Sequence, residues 1–164
     1  MRNHKTVSLY LLVLSIFMAC DLGEAPQPDP QFIQLHFKYG FGNAVNTFDG
    51  TLTKDLVLDG SVTVPFWFTT REQQLILNEL NRLDFYSLSD TLPAITGVVV
   101  EPEPGPMSLR VRVDQRDKTV VWSLPLDETK TEARTVRQLS SAIWDIVQST
   151  TAYKHLPSAR GGRI

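Results

Sequence analysis

The feature that most limits the folds open to this chain is a change of hydrophobic period between neighbouring segments. Ile33, Leu35, Phe37, Tyr39 and Phe41 alternate with Gln34, His36, Lys38 and Gly40. Successive strand side chains point to opposite faces, so a period of two predicts a half-buried β-strand. Val62, Val64, Phe66 and Phe68 alternate in the same way, with Thr63, Pro65 and Trp67 on the other side. Asp49-Gly50 and Asp59-Gly60 are turn signals, and with Leu56-Val57-Leu58 they predict an antiparallel meander. Pro65 has no N–H to give to a ladder, which places it on an edge strand or a bulge.

The period then lengthens. Ile76, Leu80 and Leu83 form an apolar stripe flanked by Leu75 and Leu77, as a helix packed on one side requires. Thr69 with Glu72, or Thr70 with Gln73, supplies a capping box at its start. Phe85-Tyr86-Ser87-Leu88 is expected to pack the end of that helix onto the sheet. Residues 89–106 carry Pro93, Pro102, Pro104 and Pro106 with Gly97 and Gly105, which predicts a long surface loop. Within it, Val98-Val99-Val100 either docks on a partner or packs under the domain.

Alternation resumes with Met107, Leu109, Val111 and Val113 against Ser108, Arg110, Arg112 and Asp114. A turn through Gln115-Arg116-Asp117-Lys118 leads to Val120, Trp122 and Leu124. A second helix is expected from Thr129-Lys130-Thr131-Glu132, again a capping-box pattern, with Val136, Leu139, Ile143, Ile146 and Val147 on its apolar face. The expected fold class is therefore α+β: an antiparallel sheet with two helices on one face, in ββα-loop-ββα order over residues 48–84 and 107–149. The 164 residues, 42% hydrophobic and 21% charged, suit one globular domain of this kind.

The start of the chain follows other rules. Met1-Arg2-Asn3-His4-Lys5 is basic, and the thirteen residues from Val7 to Ala19 are largely apolar. That run falls short of the roughly twenty residues a membrane-spanning helix needs. A basic opening, a short apolar core and a small residue before a cut describe a secretory signal. The sole cysteine of the chain, Cys20, follows Ala19 directly. Phe17-Met18-Ala19-Cys20 resembles the lipobox of bacterial lipoproteins, and that resemblance implies cleavage before Cys20 and acylation of it. The implied partner is then a lipid bilayer, held through acylated Cys20, with the domain outside the cytoplasm in the bacterial cell envelope. Two or more acyl chains give stable attachment where one does not. Asp21 resembles an inner-membrane retention signal in some bacterial groups, whereas other groups do not follow that rule, so inner and outer membrane both stay open.

The expected organisation is a signal peptide over 1–19, lipidated Cys20 with a proline-rich tether over 20–31, one α+β domain over 32–151 and a flexible tail over 152–164. The mature part keeps 14 basic and 18 acidic side chains, a net charge of −4, which gives nucleic acid no basic patch to bind. The order of Asp49-Gly50, the helix from Thr69 to Leu83, Phe85 to Leu88, and Met107 to Gln148 resembles small envelope lipoproteins that bring no assigned activity.

The chemistry-bearing residues are few. With Cys20 acylated, His36 and His155 are the imidazoles left, and no Gly-x-Ser-x-Gly motif is present. Three or four His/Cys zinc ligands cannot be assembled from this inventory. Asp49, Asp55 and Asp59 lie near turns at a spacing unlike an EF-hand, and Glu101 and Glu103 sit on a proline-stiffened loop. No catalytic residue, metal or cofactor is expected. The candidate binding surface is Trp67, Thr119 and Val121 on the face opposite the core, beside Arg110 and Arg112 if the two hairpins are adjacent. An aromatic with two guanidiniums suits a sugar or an anionic polymer. The leading reading is a non-catalytic binding or structural domain. An accessory subunit that adds strands to an envelope protein partner is the alternative, and an enzyme ranks third.

Overall fold

A computed structural model describes residues 29–162. The signal-peptide and Cys20 readings, and the tether up to residue 28, lie outside the described residues. The described chain is α+β, with a seven-stranded, mostly antiparallel sheet and two long helices. In chain order the elements are β1 (Ile33–Tyr39), β2 (Asn43–Asn46), β3 (Thr51–Val57), β4 (Gly60–Pro65), α1 (Thr70–Arg82), β5 (Thr91–Leu92), β6 (Met107–Val113), β7 (Arg116–Trp122), α2 (Thr131–Ser149) and the short α3 (Thr151–Lys154). A single 3-10 turn, Phe85–Ser87, follows α1. Four strands precede α1, and β5 lies inside the segment expected to be loop throughout.

Across the sheet the order is β4-β3-β2-β1-β6-β7-β5. β1 is central, and Phe37 pairs with Val45 on one side and Leu109 on the other. Its Ile33, Leu35 and Phe37 are buried, as the alternation requires. Leu52, Leu109, Val111, Val120 and Trp122 continue that face, and Ile76 and Leu80 of α1 and Leu139 and Ile143 of α2 join the same core. α1 and α2 also pack against each other. β4 is an edge strand that ends at Pro65, where the missing N–H costs no ladder bond. β5 closes the other edge by pairing parallel to β7.

The two helices begin differently. At α1, Thr69 Oγ1 accepts the Glu72 N–H at 3.3 Å, and Glu72 Oε2 accepts the Thr69 N–H at 2.8 Å. This is the expected capping box, worth about 1 kcal/mol. At α2 the expected box does not form. Asp127 Oδ1 takes both the N–H and the hydroxyl of Thr129, at 3.1 and 2.6 Å, which commits that residue to a turn and delays the helix to Thr131. Glu132 instead accepts the Ser89 N–H at 2.8 Å and its hydroxyl at 3.0 Å.

The fold is longer at both ends than the expected 32–151. Asp29 Oδ2 accepts the N–H and hydroxyl of Thr70 at 2.7 and 3.0 Å, and Gln31 donates to the Phe68 carbonyl at 2.9 Å. Residues 152–160, within the expected flexible tail, are mostly exposed but make specific contacts with the domain. The rings of Tyr39, Trp144 and Tyr153 follow one another at 5.3 and 5.5 Å, and Lys54 sits 4.5 Å over Tyr153. Each such aromatic contact adds about 0.5–1.5 kcal/mol. Arg160 donates to both oxygens of Asp59, at 2.7 and 2.5 Å, and its backbone bonds Leu56 and Leu58. These contacts flank Val57, a β-branched residue at φ 64°, where only an over-determined surrounding keeps such a conformation.

The β2–β3 turn requires Gly50. Its φ is +65°, and a Cβ there would lie 2.6 Å from the Trp67 ring. Gly50→Ala should therefore lower stability by about 1–3 kcal/mol and displace Trp67. Urea unfolding followed by tryptophan fluorescence reads both effects, and an unchanged midpoint with an unshifted spectrum would contradict this packing.

Candidate functional site

The face opposite the core is built by the register of three strands. Gln34 lies across from Arg112, which faces Asp117; His36 lies across from Arg110, which faces Thr119; Lys38 lies across from Ser108, which faces Val121. Alternation alone puts all nine on one side.

Arg110 and Arg112 share one carboxylate. Asp117 accepts from Arg110 Nε at 3.0 Å and Nη2 at 2.7 Å, and from Arg112 Nε at 3.0 Å and Nη2 at 2.8 Å. Arg112 also donates to Gln34 Oε1 at 3.4 Å. The two guanidiniums lie 4.7 and 5.0 Å from the centre of the Phe48 ring, inside cation–π range. Asn46 positions that ring: its Oδ1 accepts the Phe48 N–H at 3.1 Å while its amide donates to Asp49 at 2.6 Å. Two cations and one anion leave a net positive charge held rigidly on an aromatic plate.

His36 sits in the same row. Its imidazole is held below the ordinary range, first by burial and then by the charges of Lys38 and Arg110, with Asp49 opposing. Asp117 is pushed well below the ordinary carboxylate range by its hydrogen bonds from Arg110 and Arg112. The arrangement can hold an anion or a planar polar group through guanidinium donors that Asp117 does not take.

Of the other proposed surface residues, Thr119 and Val121 share this face on β7, whereas Trp67 does not. The two hairpins are not adjacent, because β1 and β2 stand between them. Trp67, 44% exposed, packs on Gly50 at the tip of the β2–β3 turn. Val121 and Thr119 line a shallow polar trough with Tyr86, Asp90, Arg116 and Lys118, and Arg116 stacks on Tyr86 at 3.6 Å. Phe48 is the aromatic partner that sequence reasoning missed. A large ring directly before an Asp-Gly turn was its available signal, read only as part of the turn.

Among the described residues no three His, Cys, Asp or Glu side chains gather around a possible metal position. Asp59 is held by Arg160, Asp49 by Asn46, and Asp55 accepts the Val57 N–H at 3.1 Å. No protein-family model, curated protein or solved structure matches the chain.

The depressed value at Asp117 fixes the sign of a pH effect. A carboxylate with a folded pKa below its unfolded value of 3.8 contributes stability that is fully present above 3.8 and lost as pH falls further. The stability difference between the wild type and Asp117→Asn should therefore stay constant from about pH 7 to 5 and shrink only below about pH 4. Urea midpoints across that range check it, and a difference that fades by about pH 5 would contradict the shared pairing.

Proposed function

We propose that this chain is a bacterial envelope lipoprotein, anchored through an acylated Cys20, with a non-catalytic binding module outside the cytoplasm. The observation that carries the reading is the place of Cys20, between a basic-then-apolar opening and the domain that Asp29 already contacts through Thr70. The intervening residues reach at most about 30 Å when fully extended. The module would thus work close to the bilayer surface. No helix among the described residues is long and apolar enough to cross a membrane.

Within the module we read two hairpin–helix units, β3–β4–α1 and β6–β7–α2, with both helices over one face of the sheet. The contact between α1 and α2 and their shared core support that reading. The Arg110–Arg112–Phe48 face is then turned to the ligand, and its residual positive charge suits an anionic group on an envelope polymer or a sugar acid. A second reading, an accessory subunit of an envelope protein complex, is favoured by the exposure of Val98 and Val99, at 50% and 79%.

Cys20→Ser should move the protein from the membrane fraction to the soluble fraction, or leave its precursor uncleaved. Membrane fractionation with palmitate labelling reads both. Normal labelling of the variant, or unaltered membrane retention, would rule the anchor out.

A further inference from the structure

A cavity of about 380 Å³ lies between the sheet and α2, beneath the proline-rich segment. Its walls include Met107, Trp122, Leu124 and Leu126, and α2 contributes Arg137 and Ser140. Sites for small molecules run from roughly 300 to 1,000 Å³, and about 150 Å³ of apolar space already takes benzene. A single ring with a short chain therefore fits.

Ser140 is the unusual member. It is only 4% exposed, and its hydroxyl has no hydrogen-bond partner among the described residues. A serine within a helix ordinarily turns its hydroxyl back to a carbonyl of the preceding turn. Ser149 and Thr150 do so, to Ile146 and Val147, each at 2.7 Å. Burying a hydroxyl without a partner is unfavourable, and an acceptor brought by a ligand would relieve it. Arg137 lies one turn earlier on α2, the spacing at which two side chains share a helix face. It pairs with Glu128, and its side chain is 65% exposed, which puts the guanidinium at the rim. Arg134 stands beside it, bonded to the carbonyls of Glu128 and Thr129 at 2.7 and 2.9 Å. Arg137 and Glu128 are the charged groups on the cavity wall, and Arg134 lines the neighbouring surface groove with them.

We propose that this cavity binds a small amphiphilic monocarboxylate, its tail against Trp122 and Leu124 and its carboxylate between Ser140 and Arg137. The Ser140 hydroxyl donates to one carboxylate oxygen, and Arg137, released from Glu128, donates to the other. The site is separate from the arginine face and does not depend on the membrane anchor.

The test uses the full chain in phosphatidylcholine nanodiscs, with empty nanodiscs subtracted. The probe is 4-phenylbutyrate, and 4-phenylbutanol is the uncharged control with the same tail. Calorimetric titration should show one saturable site for the acid and binding of the alcohol weaker by about tenfold. Arg137→Gln should weaken the acid by about tenfold and leave the alcohol unchanged. Ser140→Ala should weaken the acid by several-fold yet melt no lower than the wild type. Leu124→Trp, checked for native circular dichroism, should abolish binding by filling the cavity. No saturable site, equal affinity for acid and alcohol, or acid binding untouched by Arg137→Gln and Leu124→Trp would each overturn the proposal.

Discussion

The structure hangs on one buried amide. Gln73 is fully buried in α1, and all its hydrogen-bonding capacity is used. Its Oε1 accepts the N–H groups of Phe32 and Ile33 at 2.9 and 3.3 Å, and its Nε2 donates to the carbonyls of Pro30 and Phe68 at 3.1 and 3.2 Å. A glutamine offers two donors and two acceptor sites, so this set is complete. No isosteric residue reproduces it, since a glutamate lacks the donors and a leucine lacks both kinds of group. A fully satisfied polar group inside a core specifies geometry beyond what apolar packing selects, because every alternative leaves it unpaired. Here the geometry fixed is the start of β1 against the first turn of α1.

Much follows from holding β1 there. It pairs β2 on one side and β6 on the other, so its register is transmitted to both halves of the sheet. A slip of one residue would turn Leu35 and Phe37 outward and bring Gln34 and His36 into the core. A second latch lies next to Leu35, whose N–H donates to Thr47 Oγ1 at 2.8 Å while its carbonyl accepts the Thr47 N–H at 2.8 Å. That bond ends β2 and sets the turn that carries Phe48. The same register brings His36 opposite Arg110 and Gln34 opposite Arg112, so the positive face is a consequence of how β1 is seated.

Local pattern was enough to read β1, β4, β6, β7 and the apolar faces of both long helices, because each segment repeats its period over several residues. The edge role of Pro65 and the Thr69–Glu72 cap were also legible, as both depend on neighbours in sequence. β2 escaped notice because Asn43-Ala44-Val45-Asn46 buries only Val45 and shows no alternation. β5 is two residues long and exists through its pairing with Thr91 opposite Val121, which local sequence does not encode. The contacts of residues 152–160 are not local, as Arg160 and Asp59 meet across 101 residues. In sequence Gln73 reads as a capping residue, since a polar side chain on a helix carries no sign that it is buried. Of the proposed binding residues, Arg110 and Arg112 were placed together by strand alternation, while Trp67 depended on a neighbour relation between hairpins that the strand order does not have.

The most direct measurement is equilibrium unfolding of Gln73→Leu beside Gln74→Leu, with the wild type as reference. Gln74 is exposed and bonds only Asn78, at 3.0 Å, among the described residues. Removing the Gln73 amide takes its acceptor from the N–H groups of Phe32 and Ile33 at the start of β1, each costing about 1–3 kcal/mol where left buried and unpaired, while the Phe68 carbonyl keeps its bond from Gln31. The account predicts a loss of at least about 2 kcal/mol for Gln73→Leu and less than about 0.5 kcal/mol for Gln74→Leu. Equal midpoints for the two variants would show that the amide does not seat β1, and the dependence of the arginine face on it would fall as well.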